Sequence, residues 1–211
     1  MSNLTIEQYI AWLRANDVCE EAIVWSKRQA DFAACYRDCA NPEWLLWLLE
    51  DAGVLDDKRA RLFACWCVRT TPLADGRVVW DLLTDERSRA AVEVAERYAV
   101  GEATDGELSA AWTAAWSAAW SATGAAAWTA ARSATGTAWT AWTAARSAAR
   151  SAAWSAARSA ARSATWIAAW YAAWTAQCAR IREVWPVEEV VAGIAAAIAA
   201  QPKGQNDDQE K

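Results

Sequence analysis

Residues 111–120 read AWTAAWSAAW and residues 152–162 read AAWSAARSAAR, two stretches of one pattern in which Trp or Arg is followed by Ser or Thr and two alanines. The first position of this unit, which we call the repeat position, recurs every four residues from Trp112 to Arg182, apart from two steps of three just after Gly136. Alanine is the strongest helix former, and a fixed short unit marks repeat architectures. The pattern therefore predicts a long Ala/Trp-rich helical region.

The four-residue step has a geometric consequence. Four residues turn an α-helix by about 400°, so each repeat position lies about 40° around the helix from the last, and the stripe circles the helix in about 36 residues. One architecture is a single helix about 120 Å long over residues 105–184, curved or supercoiled in a right-handed sense. In the other, the helix is broken near Gly136 and its halves pack through paired alanines. We favour a curved or broken helix whose Trp faces are buried on neighbours.

The first hundred residues also read as helices, because no window alternates between apolar and polar residues with a period of two. Residues 32–39 and 58–69 are expected to be helical, with a Trp-rich core and an irregular connection before residue 78. Helix ends are predicted from capping residues and glycines. The predicted starts and stops are capping boxes of Thr5 with Gln8, Asp17 with Glu20 and Thr104 with Glu107, an Asn41–Pro42 start, a Thr84 cap for residues 85–100, and stops at Gly53 and Gly101.

The fold class predicted from these patterns is all-α. Four segments follow from the changes in composition: a helical N-terminal domain over residues 1–103, the repeat region over 104–185, a C-terminal helix over 186–200 and a disordered, polar tail over 201–211.

Charge is distributed unevenly along the chain. Residues 1–107 have a net charge of −8 and residues 183–211 a net charge of −4, whereas residues 108–182 contain seven arginines and no Asp or Glu. A basic segment without counter-charges indicates either an acidic partner or docking on the acidic remainder of the chain. The chain also contains no histidine, which excludes imidazole bases, His-dependent triads and His-ligated metals.

The remaining chemistry favours a non-enzymatic cytoplasmic protein without cofactor or metal. No signal-peptide pattern or uninterrupted membrane span is present, and the six cysteines are expected to be reduced. A four-thiolate metal site from the pairs at residues 35/39 and 65/67 is the less favoured alternative to burial as small apolar groups, because neither pair has the usual ligand spacing. The acidic pairs at residues 56/57 and 85/86 are interpreted as helix starts favoured by the helix dipole.

The Trp/Arg stripe is the candidate interaction surface. Self-packing into a homo-oligomer, or with another protein, is the favoured interpretation, because a lone helix that exposed ten tryptophans would aggregate. The alternative is a nucleotide or single-stranded nucleic-acid platform, in which indoles stack on bases and arginines hold phosphates. The interaction residues are Trp112, Trp116, Trp120, Trp128, Arg132, Trp139, Trp142, Arg146, Arg150, Trp154, Arg158, Arg162, Trp166, Trp170 and Trp174.

Two stretches carry a resemblance to known proteins. Residues 61–69 (RLFACWCVR) and 79–104 (VWDLLTDERSRAAVEVAERYAVGEAT), followed by the Ala-rich repeat, resemble uncharacterised bacterial and phage-encoded helical proteins. The chain is also distantly similar to predicted immunity proteins of bacterial polymorphic-toxin systems, through a helix with Trp and Cys, a following Asp/Arg-rich helix start, a Gly-Glu turn and an Ala-rich second half. The resemblance covers about residues 43–182 and implies an immunity-type or phage accessory role; the group has no established catalytic residues to carry over.

Overall fold

A computed structural model describes residues 4–72, 76–121 and 166–200 of the protein. Within these residues the chain forms nine α-helices, one short 3-10 helix and no strand, which confirms the all-α prediction. The connection before the 3-10 helix contains an isolated bridge between Pro72 and Val78. The helices are α1 (Ile6–Ala15), α2 (Glu20–Ser26), α3 (Phe32–Asp38), α4 (Pro42–Asp51), α5 (Asp57–Thr70), the 3-10 helix Val79–Leu82, α6 (Glu86–Ala99), α7 (Asp105–Ser121), α8 (Trp166–Val184) and α9 (Val187–Ala200).

Three of the predicted helix starts are confirmed. The capping box of Thr5 with Gln8 begins α1, and Asn41 caps α4 with Pro42 at its first position. At α7 the Thr104 amide donates to the Glu107 carboxylate at 2.8 Å, while the Glu107 amide donates to the Thr104 hydroxyl at 3.2 Å. Each side chain satisfies an amide that the first helical turn leaves without a partner.

α1, α4 and α6 end in one common motif. The residue after each C-terminal cap adopts a left-handed conformation: Asp17 at φ 51°, Gly53 at φ 67° and Gly101 at φ 81°. After α1, the Asp17 amide donates to the Arg14 carbonyl at 3.3 Å and the next amide donates to the Leu13 carbonyl at 3.2 Å. This pair of bonds is the Schellman motif, and the two predicted glycine stops are confirmed.

Two other predicted helix starts are wrong. The N-cap of α2 is Cys19, without a side-chain cap, because Asp17 already occupies the left-handed position that ends α1. The N-cap of α6 is Asp85, whose carboxylate accepts the Arg87 amide at 2.9 Å. The first helical bond is accepted by the Asp85 carbonyl, from the Arg89 amide at 3.3 Å, so Thr84 lies one residue before the cap.

The hydrophobic core contains fewer tryptophans than the sequence suggested. Of the tryptophans before residue 100, Trp12 alone is fully buried, whereas the others are half-buried at the margin. The indole N–H favours such a position, since it can reach water or a polar group there. Aliphatic, alanine and thiol side chains fill the centre instead, among them Leu46, Leu49, Ala64 and Cys67.

The C-terminal helices complete this core. Trp185 is completely buried, and its ring meets that of Phe63 edge-on with centroids 6.2 Å apart. The Tyr36 hydroxyl donates to the Trp185 carbonyl at 2.7 Å. One core cluster thus contains residues of the segments predicted at 1–103, 104–185 and 186–200, whose boundaries stay predictions. The predicted tail over 201–211 lies outside the described residues.

The placement of α7 and α8 restricts the predicted repeat architecture. Leu108 of α7 and Ile181 of α8 belong to the same core cluster. A single straight helix over residues 105–184 would hold its ends about 120 Å apart. The choice between a curved helix and one broken at Gly136 concerns residues outside those described.

A salt bridge fixes α9 on the start of α5. The Arg59 guanidinium donates to both carboxylate oxygens of Glu189, at 2.5 and 2.8 Å, and to the Val184 carbonyl at 3.2 Å. It also bonds to Asp56, whose carboxylate caps α5. The guanidinium thus connects the starts of α5 and α9 with the end of α8, and its hydrogen bonds hold the pKa of Glu189 below its usual range.

Gly193 allows α9 to approach the turn after α4. A Cβ atom at this position would lie 2.5 Å from the Ala52 carbonyl oxygen and 2.5 Å from a methyl carbon of Val54. Backbone atoms cannot move aside as a flexible side chain would. The close contact between α9 and this turn consequently requires glycine.

We predict that Gly193→Ala lowers the free energy of unfolding by about 1–3 kcal/mol, because the overpacking outweighs the gain in helix propensity. Urea denaturation measures the difference. Gly106→Ala is the control, since its Cβ meets no atom closer than 3.8 Å in the first turn of α7, and it should leave stability unchanged or raise it. A Gly193→Ala variant as stable as the control would contradict the packing of α9 described above.

We predict that Glu189→Gln lowers the free energy of unfolding at pH 7 by about 1 kcal/mol or less, since the Glu189 side chain is 37% exposed and solvent screens the pair. Its folded-state pKa lies below the unfolded value of about 4.3, so this stabilisation is present at neutral pH and lost as the pH falls through the acid range. The difference in the free energy of unfolding between Glu189→Gln and wild type should disappear between about pH 5 and pH 3. Glu188→Gln, at an exposed neighbour in the same helical turn, is the control and should show a smaller, less pH-dependent change.

Candidate functional site

The structure describes part of the predicted Trp/Arg stripe. Trp112, Trp116 and Trp120 lie on α7, and Trp166, Trp170 and Trp174 lie on α8. The other nine predicted residues, together with Gly136, lie outside the described residues: Trp128, Arg132, Trp139, Trp142, Arg146, Arg150, Trp154, Arg158 and Arg162. The surface predicted from all fifteen therefore stays a prediction.

At its beginning, the repeat packs through its alanines. Ala111 and Ala115 of α7 contact Ala91 of α6, and Ala115 and Ala91 are fully buried. Alanine side chains let two helix backbones approach closely. Trp112, the first repeat position, is 38% exposed and is one of the large apolar side chains that the described residues leave at the surface.

At its end, the repeat packs through the repeat positions themselves. Trp174 is half-buried and Cys178 is buried. The Arg182 guanidinium donates to the Tyr36 carbonyl at 2.9 Å and to the Cys39 carbonyl, so it closes the C-terminal end of α3. Here the repeat positions Cys178 and Arg182 are directed towards the N-terminal helices, and the prediction of buried Trp faces stays a prediction.

The buried residues of α8 lie on one face of the helix. Ala173, Gln177, Cys178 and Ile181 fall within about 140° of its circumference, and the neighbouring helices are α4 and α5. Trp185, which follows the last residue of α8, is buried as well.

A pocket between α1, α2, α3 and α4 was not predicted from the sequence. Its volume is about 310 Å³. Three half-buried indoles line it, those of Trp25, Trp44 and Trp47. The Trp25 and Trp44 rings lie 6.1 Å apart at an angle of 57°, and the Trp47 ring lies 5.7 Å from that of buried Trp12.

The pocket has an acidic lining. Asp17 and Glu43 supply carboxylates, and the lining contains no lysine or arginine. Glu43 stands in the first turn of α4, where its amide donates to the Asn41 side chain at 2.9 Å and where the helix dipole favours a negative charge. The Schellman turn after α1 holds Asp17 at the pocket in its left-handed conformation.

The other polar groups of the pocket are neutral at physiological pH. Burial raises the pKa of the Cys35 thiol to about 11 and also raises the pKa of the Cys39 thiol. Burial likewise raises the pKa of the Tyr9 phenol. Within the lining, Asp17 and Glu43 are consequently the charged side chains.

One sequence signal for the pocket existed. Trp44 and Trp47 are three residues apart on a helix whose leucines are buried, so both indoles had to lie near one face. The third indole and Asp17 come from other elements, and their approach follows from tertiary packing alone.

The cysteines fall into separate environments. Cys35 and Cys39 lie at the pocket, whereas the Cys65 thiol donates to the Val92 carbonyl of α6 at 3.8 Å. Among the described residues, no group of three Cys, Asp or Glu side chains is placed to hold a metal ion. All six cysteines are free thiols.

The first residue of each acidic pair, Asp56 and Asp85, is a helix N-cap. Asp56 accepts the Arg59 amide and Asp85 accepts the Arg87 amide, each at 2.9 Å. Their interpretation as helix starts is confirmed.

Comparison of the chain with protein-family models, with curated proteins and with solved structures finds no match in any of the three. The resemblance of residues 61–69 and 79–104 to immunity-type and phage proteins stays a prediction. In the parts of the chain that the structure describes, no helix is long and apolar enough to cross a membrane.

We predict that a disulfide reagent at pH 8 modifies one thiol rapidly in the native protein and the other five only on unfolding. Cys19 is exposed, whereas the other five are buried. Burial raises the pKa of Cys65 and of Cys178 to about 12, which withholds the reactive thiolate. Ellman's reagent provides the measurement, and Cys19→Ser should remove the fast phase. Rapid modification of several thiols in that variant would show that the core is open.

Proposed function

We propose that this chain is a non-enzymatic, helical interaction protein of the cytoplasm that self-associates through its Trp/Ala repeat, with an immunity-type or phage accessory role. One observation carries the proposal. α7 packs on α6 through Ala91, Ala111 and Ala115, while Trp112 of the same repeat is 38% exposed. The alanines are buried against α6, and part of the Trp112 side chain on the same helix is exposed.

An exposed tryptophan favours association between protein chains. Tryptophan is enriched among the residues that contribute most to protein interfaces, because its large rigid ring buries much apolar area at little cost in side-chain entropy. A repeat with tryptophan at ten of its positions therefore supplies many such side chains. A second copy of the chain carries the same repeat and is the simplest partner.

The N-terminal helices supply a scaffold for the repeat. α7 begins on α6, and α8 ends against α4 and α5, so both described ends of the repeat rest on one core. Such anchoring reduces the conformational entropy that the repeat loses on association. The free cysteines and the absence of histidine agree with a cytoplasmic, non-catalytic role.

The alternative, binding of a nucleotide or single-stranded nucleic acid, requires repeat arginines that are available to phosphates. The two arginines of the repeat segment in the described residues make contacts within the chain. Arg182 donates to backbone carbonyls of Tyr36 and Cys39, and Arg180 pairs with Glu183 at 2.9 Å and lies 5.9 Å from the Trp66 ring. This use of the guanidinium groups favours association over nucleic-acid binding.

We predict that the wild-type protein forms a reversible oligomer and that Trp112→Ala weakens its association about tenfold or more, as loss of an interface indole does. Sedimentation velocity over a range of concentrations gives the dissociation constants. Val100→Ala is the control, because Val100 is a similarly exposed apolar residue outside the repeat, and it should leave association unchanged.

A wild-type protein that stays monomeric at every concentration would contradict the proposal. Co-purification with nucleic acid, seen as a raised ratio of absorbance at 260 to 280 nm that falls in high salt, would instead favour the alternative.

A further inference from the structure

The pocket between α1, α2, α3 and α4 has the size of a small aromatic molecule. Its volume of about 310 Å³ lies at the lower end of the range of about 300–1,000 Å³ that ligand pockets occupy. An apolar cavity of about 150 Å³ is enough to hold one benzene molecule. Four helices and the turn between α1 and α2 line the pocket, so it admits a compact molecule of one or two rings and not an extended chain.

Several polar groups of the lining already have partners or lie at the surface. The Cys35 thiol donates to the Ser26 carbonyl at 3.7 Å, and the Cys39 thiol donates to another backbone carbonyl at 3.4 Å. Glu43 has an interaction partner within the protein, and Asp17 is exposed to solvent. The apolar surface of the pocket, and not these groups, therefore determines which ligand it favours.

Aromatic rings make up much of that apolar surface, in Tyr9, Trp25, Trp44 and Trp47. The Trp25 and Trp44 rings are tilted by 57° with centroids 6.1 Å apart, and the Tyr9 ring meets that of Phe32 edge-on at 4.8 Å. Aromatic pairs prefer such tilted arrangements, with centroids about 4.5–7 Å apart. A further ring in the pocket extends this set of contacts.

The three indoles of the lining are incompletely buried. Trp25, Trp44 and Trp47 are half-buried, whereas Trp12, whose ring lies 5.7 Å from that of Trp47, is fully buried. Covering the exposed part of an indole removes apolar surface from water, which is favourable. An aromatic ligand thus gains both apolar burial and ring contacts.

We propose that this pocket binds a neutral aromatic small molecule of one or two fused rings, which packs against the indoles of Trp25, Trp44 and Trp47. The lining contains no lysine or arginine, so an acidic aromatic molecule would lose hydration without gaining a counter-charge. The inference concerns a second site, on the N-terminal helices, and does not depend on self-association through the repeat.

The test compares an aromatic molecule with its saturated analogue. Isothermal titration calorimetry follows the titration of the full-length protein with 2-naphthol and, separately, with decahydro-2-naphthol, which has the same carbon skeleton. 2-Naphthol should bind saturably with a dissociation constant below about 1 mM. It should bind at least threefold tighter than the saturated analogue, because ring contacts add to the burial of apolar area. The anion 2-naphthalenesulfonate should bind at least tenfold more weakly than 2-naphthol.

Cys19 reports occupation of the pocket in the wild-type protein. It belongs to the lining, and it is exposed whereas the other cysteines are buried. Saturating 2-naphthol should slow the reaction of Cys19 with Ellman's reagent at least threefold, and it should leave the reaction of glutathione with the same reagent unchanged. An unchanged rate at Cys19 would place the ligand elsewhere and overturn the proposal.

Matched variants assign the binding to the aromatic lining. Trp44→Leu should weaken the binding of 2-naphthol at least threefold, since it removes a ring from the pocket. Trp66→Leu is the control, because Trp66 is another half-buried indole that lies outside the lining, and it should leave binding unchanged. Circular dichroism and thermal unfolding of both variants separate loss of the site from loss of the fold, and protection of Cys19 in the wild-type protein needs no variant.

The proposal is overturned if 2-naphthol does not bind saturably, if either analogue binds as tightly, or if Trp44→Leu and Trp66→Leu bind it alike. Tighter binding of N-acetyl-tryptophanamide than of 2-naphthol would assign the pocket to a protein side chain and would also overturn it. None of these results depends on the sedimentation behaviour that tests the proposed function.

Discussion

The complete burial of Trp185 is the interaction on which the described structure depends. Its ring meets Phe63 of α5, its carbonyl accepts the hydroxyl of Tyr36 of α3, and the Arg59 guanidinium lies 5.4 Å from its ring centroid. A single aromatic side chain of this size buries about 150–250 Å². Because it lies where α8 ends and α9 is about to begin, its burial attaches both C-terminal helices to helices formed more than a hundred residues earlier.

The second constraint is the mismatch between a repeat of four residues and a helix of about 3.6 residues per turn. A stripe with this step cannot remain on one side, so a single flat partner cannot cover it. Along α8 the buried residues from Ala173 to Ile181 lie within about 140° of the helix circumference, and the neighbouring helices are α4 and α5. Along α7 the alanines face α6 and Trp112 is exposed. The same sequence unit therefore has repeat positions that are buried within the chain at one end and an exposed repeat position at the other.

The prediction of the fold succeeded where the controlling interaction is local. The capping boxes at Thr5 and Thr104 and the stop at Gly53 involve residues within a few positions of one another, and the structure contains all three. The start of α2 was wrong for a non-local reason: Asp17 was assigned to the helix that follows it, whereas the end of α1 had already fixed its conformation. Competition between adjacent helices for one residue is not visible in a capping motif.

In the candidate sites, too, local spacing could be predicted from the sequence and non-local contacts could not. The four-residue spacing of the Trp/Arg positions follows from the sequence, but the exposure of Trp112 and the burial of Cys178 depend on which helices lie beside them. The pocket combines Trp25, Trp44 and Asp17 from three elements, and no spacing in the sequence brings them together. Their convergence depends on how α1, α2 and α4 pack around the buried aromatic rings.

By itself, the sequence determined that the described part of the protein is helical and where most of its helices begin and end, because these properties arise from interactions within about one helical turn. Tertiary structure alone decided that Trp185 and α9 would close the N-terminal core, that Gly193 would meet the turn after α4, and that two carboxylates would share a pocket with three indoles. Those contacts join residues far apart in the chain, and their geometry depends on all the helices packing at once.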